Sequence, residues 1–269
     1  MLRENFYEPE KLIDDVETHL KKLDKDHIPD YLTFVANGEP TLDINLGREI
    51  RLLKKLGIPI AVITNSSLIY DTQVQEDLLE ADWISVKVDA VDKTIWQKIN
   101  RPPTAIHFEK IFAGLNVFAS RYKGKLCTET MLVEGYNDSI LHLEQCASFI
   151  AQLNPEKAYI SVPIRPPALQ DIKPVTEKKI TDAWHIFKEA GPTTELLTGF
   201  EGTDAGTTGN VIEDILNITA VHPLREDSVA SLLKQNNASY PVIDSLIKQG
   251  LIKGTNYKGK IYYVRNYHY

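Results

Sequence analysis

Residues 33–42 read TFVANGEPTL. An apolar, β-branched run, Tyr31–Ala36, stops at Asn-Gly-Glu-Pro, and a helical pattern resumes only at Asn45. Gly38 permits a tight turn and close backbone approach to a ligand, and Pro40 fixes the outgoing direction. The spacing therefore sets Glu39 at the carboxyl end of a strand, where sheets and barrels of parallel strands collect their ligands. Taken alone, the loop reads as an ordinary turn with a solvated glutamate.

Working outward, the same alternation repeats. Strands are expected at Tyr31–Ala36, Ile58–Thr64, Trp83–Val88, Leu126–Val133 and Lys157–Pro163, with a further one at Thr193–Phe200. Apolar residues three and four apart predict helices over Pro9–Leu23, Asn45–Leu56, Thr72–Leu79, Ala105–Arg121, Ile140–Leu153 and Val175–Glu189. Strands this continuously apolar are expected to be buried on both faces, and their alternation with helices predicts an α/β fold built on a parallel sheet. Successive strands end in Thr64-Asn65-Ser66-Ser67, in Asp89, in Glu134-Gly135-Tyr136-Asn137-Asp138 and in Pro163-Ile164-Arg165-Pro166-Pro167. Each group singly is an ordinary cap or turn. Together they form a polar rim on one face, which points to ligand binding.

The pattern changes near residue 193. The run EGTDAGTTGN reads as a linker, and the domain boundary is placed near residue 206, giving units 1–206 and 207–269. Helical patterns at Val211–Ile218, Arg225–Gln235 and Tyr240–Gln249 precede two strand-like runs around Lys258-Gly259. Three helices followed by a hairpin is the order of a winged helix. From Lys248 to the C-terminus there is no acid, and Lys253, Lys258, Lys260 and Arg265 interleave with Tyr257, Tyr262, Tyr263, Tyr267 and Tyr269. Such residues neutralise phosphates and stack on bases, so RNA or DNA is one expected partner. The other reading is a hairpin whose tyrosines pack its own helices and whose surface contacts protein.

Bulk composition sets limits. The 269 residues carry 30 basic and 37 acidic side chains, a formal charge of −7, which argues against coating nucleic acid with the whole surface. No stretch approaches the roughly 18 apolar residues of a membrane helix, and no secretory signal opens the chain. Two cysteines, Cys127 and Cys146, fit a reducing cytoplasm and read as buried apolar residues. The seven histidines are scattered, with no H-E-x-x-H, and no Walker A, G-x-G-x-x-G or G-x-S-x-G motif occurs.

Five segments in order, ANGEPTL, VITNSSL, VKVDAVDKTIWQKINRP, TMLVEGYNDS and SVPIRPP, resemble the radical S-adenosylmethionine (SAM) superfamily, in particular its iron–sulfur oxidoreductase branch related to wyosine-tRNA synthesis enzymes. The resemblance covers roughly residues 5–200, and HPLREDSVASLL of the C-terminal unit also recurs in that branch. It implies a partial (β/α) barrel, a [4Fe–4S] cluster held by C-x3-C-x2-C on the loop after the first strand, and reductive cleavage of SAM to a 5′-deoxyadenosyl radical. It further implies that Gly38, Glu39 and Pro40 hold the SAM amino group, that Asn65 and Asp89 lie close to SAM, and that Glu129 and Arg165 are cofactor-binding candidates. The departure is the missing C-x3-C-x2-C. The helix at Pro9–Leu23 aligns with the family's first helix, so the first strand and cluster loop are expected to be absent. Either the chain is a fragment or the cluster chemistry has been lost, and no cluster is expected on it unaided. The catalytic residues stay unassigned. A radical SAM-type enzyme, RNA-modifying by this resemblance, stands beside a non-catalytic barrel that regulates through its winged helix. Loss of a first strand also leaves Tyr31–Ala36 as an edge that invites self-association or a protein partner.

Overall fold

The computed structural model describes residues 3–23, 28–35, 38–167, 169, 172–197 and 208–266. By packing, the chain divides into two compact units. Met1–Asp15, Pro29–Pro163 and Asp171–Thr198 form the first, and Val16–Ile28, Ile164–Gln170 and Gly199–Tyr269 the second. The boundary expected near residue 206 lies outside the described residues, as do most of the linker and the ends of the strands expected to reach Ala36 and Phe200.

After helix α1 (Pro9–Leu20), the first unit is a partial (β/α) barrel. Six parallel strands, β1 (Leu32–Phe34), β2 (Ile60–Thr64), β3 (Trp83–Lys87), β4 (Lys125–Met131), β5 (Lys157–Ser161) and β6 (Thr194–Leu197), pair in sequence order. Helices α2 (Leu46–Leu53), α3 (Thr72–Leu78), α4 (Lys93–Asn100), α5 (Phe108–Arg121), α6 (Ile140–Gln152) and α7 (Glu177–Glu189) occupy the connections. Their starts follow the sequence: Asp71, Asp92, Ser139 and Thr176 each accept a first-turn amide, satisfying donors the helix leaves free. Between β3 and β4 there are two helices where one was expected. KTIWQKIN forms α4 with Trp96 buried, and α5 begins only at Phe108, after Pro102 and Pro103.

The two faces of the sheet differ, which corrects the expectation of burial on both. Ile60, Val62, Ile84, Val86, Ala158 and Ile160 point to the helices and are buried. Alternate residues point the other way, and there Thr33 and Ile63 are exposed while Lys87, Glu129, Met131 and Tyr159 are half-buried. A partial barrel leaves its inner face open, so side chains of this row meet a lumen instead of a second helical layer.

In the second unit, α8 (Val211–Val221), β7 (Leu224–Arg225), α9 (Glu226–Gln235), α10 (Pro241–Lys248), β8 (Ile252–Tyr257) and β9 (Lys260–Arg265) follow one another. The antiparallel sheet has the order β7-β9-β8. Its core gathers Ile215, Leu224, Val229, Leu232, Ile243, Leu246, Ile252 and Tyr263. No described helix is long and apolar enough to cross a membrane.

Candidate functional site

The register builds the site. Lys87 pairs with Glu129, Glu129 with Tyr159 and Tyr159 with Glu195, so these four side chains share one row across the open face. Near its β3–β4 end, at the carboxyl ends of the strands, lies a cleft of about 170 Å³ lined by Gly38, Glu39, Asn65, Ser85, Lys87 and Glu129 together with neighbouring apolar groups.

Glu39 is only 7% exposed, against the expectation of a solvated rim carboxylate. Its Oε1 accepts from the Thr41 amide at 3.1 Å, the Thr41 hydroxyl at 2.7 Å and the Thr64 hydroxyl at 2.6 Å. Its Oε2 accepts from the Asn65 amide at 2.7 Å. The carboxylate thus ties the loop after β1 to the end of β2, because four donors in a buried place need a charged acceptor. Pro40 is buried at the start of the next short turn and does not line the cleft. Gly38, at φ 155°, has nothing within 4 Å of where a Cβ would stand, so its peptide borders open space. Asn65 contributes its amide to Glu39, while its side chain accepts from the Ser67 amide at 2.9 Å.

Asp89 stands just past β3 and is buried. It accepts from the Met131 amide at 2.9 Å and from Asn100 at 3.2 Å, and Lys87 Nζ lies 3.9 Å away. The same ammonium is 3.8 Å from Glu129, whose Oε1 accepts from Ser161 at 2.8 Å. Burial pushes the Asp89 carboxyl above its ordinary value, and Lys87 and the two hydrogen bonds only partly offset it. Burial works to lower Lys87, but Asp89 and then Glu129 outweigh it and hold the ammonium above its ordinary value. One lysine is therefore shared between two acids on adjacent strands. Asn137, buried, donates to the Asp89 and Met131 carbonyls at 2.8 and 2.9 Å and accepts from the Val133 amide. It is a loop-fixing group. Asp138 is paired with Lys179.

Of the residues expected from sequence, Gly38, Glu39, Asn65 and Glu129 meet in the cleft, and Asp89 joins through Lys87. Arg165 is assigned to the second compact unit. Lys87 and Ser161 were missed. The available signal was a lysine inside the apolar strand WISVKV, because a charge on an otherwise buried strand marks a face that opens.

In the hairpin of the second unit, Lys253, Lys258 and Lys260 are exposed. Lys253 pairs with Val264 and Lys260 with Tyr257 on the outer face, and Lys258 lies 5.4 Å over the Tyr257 ring in the turn. Arg265 pairs with Ile252, on the face turned to the core, and is half-buried. It is therefore less exposed than the three lysines. Tyr262 and Tyr263 are buried, and the Tyr262 hydroxyl donates to the Ile164 carbonyl at 3.1 Å. They pack, and do not present rings for stacking. Tyr267 and Tyr269 lie outside the described residues.

The thiols do not fit an iron–sulfur cluster. Cys127 on β4 and Cys146 on α6 are both fully buried, and burial pushes the Cys146 thiol up to about 12 and raises Cys127 as well. Cluster ligands are thiolates held together on accessible backbone. Among the described residues no three His, Cys, Asp or Glu side chains form a metal-holding group. SAM fits better in part: a 170 Å³ cleft is below the roughly 300–1,000 Å³ of a whole-ligand pocket, and its polar lining suits the amino-acid end of the molecule.

A partial (β/α) barrel with a polar cleft at its strand ends is a barrel-class fold, and proteins of that class place their ligands at this end. The chain belongs to the radical SAM superfamily, whose family model matches residues 3–147. It is 44% identical over 266 residues to UPF0026 protein MJ1312 of Methanocaldococcus jannaschii, covering 98% of this chain and 83% of that protein. It is 30% identical over 113 residues to the S-adenosyl-L-methionine-dependent tRNA 4-demethylwyosine synthase of the same organism, covering 42% of this chain and 34% of the synthase. A radical SAM methyltransferase from Sphaerobacter thermophilus shares the fold, with a TM-score of 0.58 at 16% identity, over 74% of this chain and 60% of the other.

Proposed function

We propose that this chain supplies the SAM- and substrate-facing rim of a radical SAM enzyme that modifies RNA. The observation that carries the first half is the convergence of Glu39, Lys87 and Glu129 on one cleft at the strand ends. SAM in this superfamily supplies a 5′-deoxyadenosyl radical. The chain's own residues bind and orient: Glu39 fixes the loop so that the Gly38 peptide faces the cleft, and Lys87 and Glu129 present opposite charges to an amino acid's carboxylate and ammonium. Ser161 holds Glu129 in place. The RNA half is supported by the tRNA-acting relative and by the exposed lysines of the hairpin. The element order of the second unit supports reading it as a winged helix.

The test is calorimetric titration of the intact chain with SAM. A few hydrogen bonds worth about 0.5–1.5 kcal/mol each give binding in roughly the millimolar range, and Glu129→Ala should abolish it. No binding at saturating SAM, or binding indifferent to Glu129→Ala, overturns the reading. That result would favour the second reading, a non-catalytic barrel, for which the two buried thiols are the specific observation.

A further inference from the structure

A second cavity, of about 530 Å³, lies apart from the strand-end cleft, between α4 and α5. Its size is that of a small-ligand site. Trp96 and Phe108 form an aromatic wall, with ring centroids 5.4 Å apart and tilted by 58°. Pro102 and Pro103 supply rigid apolar surface beside them. Lys93 and Glu109 also line it, but they pair with each other at 2.8 Å and cancel. The remaining charged side chain is Arg101, and His107 lies beside it; both are exposed.

Arg101 is the informative residue. It ends α4 in the left-handed region, at φ 44°, with its amide bonded to the Gln97 carbonyl at 3.1 Å. Helices usually place glycine there, because a Cβ is strained in that conformation. This chain does so itself at Gly57, φ 77°. Arginine at this position holds a strained backbone, as Ser66, Asn154, Asn237 and Lys258 do elsewhere, and such strain clusters at ligand sites; here it borders a cavity. Among the described residues its guanidinium makes no hydrogen bond or ion pair, although it borders a cavity.

We infer that this cavity binds a nucleoside monophosphate group, with the base against Trp96 and Phe108 and the phosphate on the Arg101 guanidinium, assisted by His107. The forked donors of arginine match phosphate oxygens, and a flat base matches an aromatic and proline wall. The site goes beyond the strand-end reading and does not depend on it. The same chemistry is offered by a free nucleotide and by one residue of an RNA strand.

The intact protein should be titrated with AMP, adenosine, inorganic phosphate and single-stranded penta-adenylate. AMP should bind at least tenfold more tightly than adenosine or phosphate alone, since each lacks one half of the match. Arg101→Gly should weaken AMP at least tenfold while leaving the melting temperature unchanged or higher, because glycine accepts the left-handed backbone. Arg101→Lys should fall between, retaining charge without the fork. Penta-adenylate competing with AMP identifies a strand residue as the natural ligand, and its exclusion identifies a free nucleotide. Failure of AMP to bind, adenosine binding as tightly as AMP, or undiminished AMP affinity in Arg101→Gly each overturns the assignment.

Discussion

At the scale of single residues, two buried carboxylates carry opposite burdens. Glu39 is satisfied by four donors, and removing it leaves the Thr41 and Thr64 hydroxyls and two amides facing an empty place. Glu39→Ala should therefore cost about 2–4 kcal/mol in denaturant unfolding, where a rim carboxylate would cost almost nothing. Glu49 on α2 is the reverse case. It is 1% exposed with Oε1 unpartnered, and burial, then Asp43, pushes its carboxyl up to about 7. Its folded state binds the proton more tightly than the unfolded state, so this group's contribution to stability falls as pH rises from about 4.5 to about 7 and stays low above. Glu49→Gln should raise the melting temperature by several degrees at pH 8 and by much less at pH 5. Equal shifts at both pH values in thermal scans would contradict the assignment.

At the scale of elements, the β8–β9 hairpin separates two roles that its sequence mixes. Antiparallel pairing puts Tyr263 and Arg265 on the core-side face and leaves Lys253 and Lys260 on the other. RNA binding through this element should involve three lysines and no arginine. Lys258→Ala with Lys260→Ala should weaken binding and reduce the salt slope by about 1.4, at roughly 0.7 per phosphate on a single strand. Fluorescence anisotropy at several salt concentrations measures this. An unchanged slope would assign the hairpin to protein contact. The element that sequence reading overlooked, α4, has only eight residues, and its three apolar side chains, Ile95, Trp96 and Ile99, span a single turn, too short a run to stand out as a helical stripe.

At the scale of the whole molecule, family membership and cofactor chemistry point apart. The fold is that of the radical SAM superfamily, yet the two thiols are buried on separate elements. Anaerobic reconstitution of this chain with iron and sulfide should yield no stable [4Fe–4S] centre. Stoichiometric iron with a charge-transfer absorbance, lost in Cys127→Ser with Cys146→Ser, would show that the chain opens to ligate it.

The sequence by itself determined the α/β class, the six parallel strands and the family, because strand and helix periods and the GEP turn are local patterns. It also pointed to Gly38, Glu39, Asn65 and Asp89, since strand ends are legible from where apolar runs stop, while Glu129, inside β4, came only from the family resemblance. It did not show which of these carboxylates is buried. Burial depends on donors brought from elsewhere in the chain, as Thr64 and Asn65 are brought to Glu39 across 25 and 26 positions. Nor did it show that Lys87 lies between Asp89 and Glu129, which follows from the register of β3 on β4. Only the tertiary structure decided that one face of the sheet is open, because exposure of an alternate residue depends on whether another layer covers it, and a partial barrel leaves that layer out.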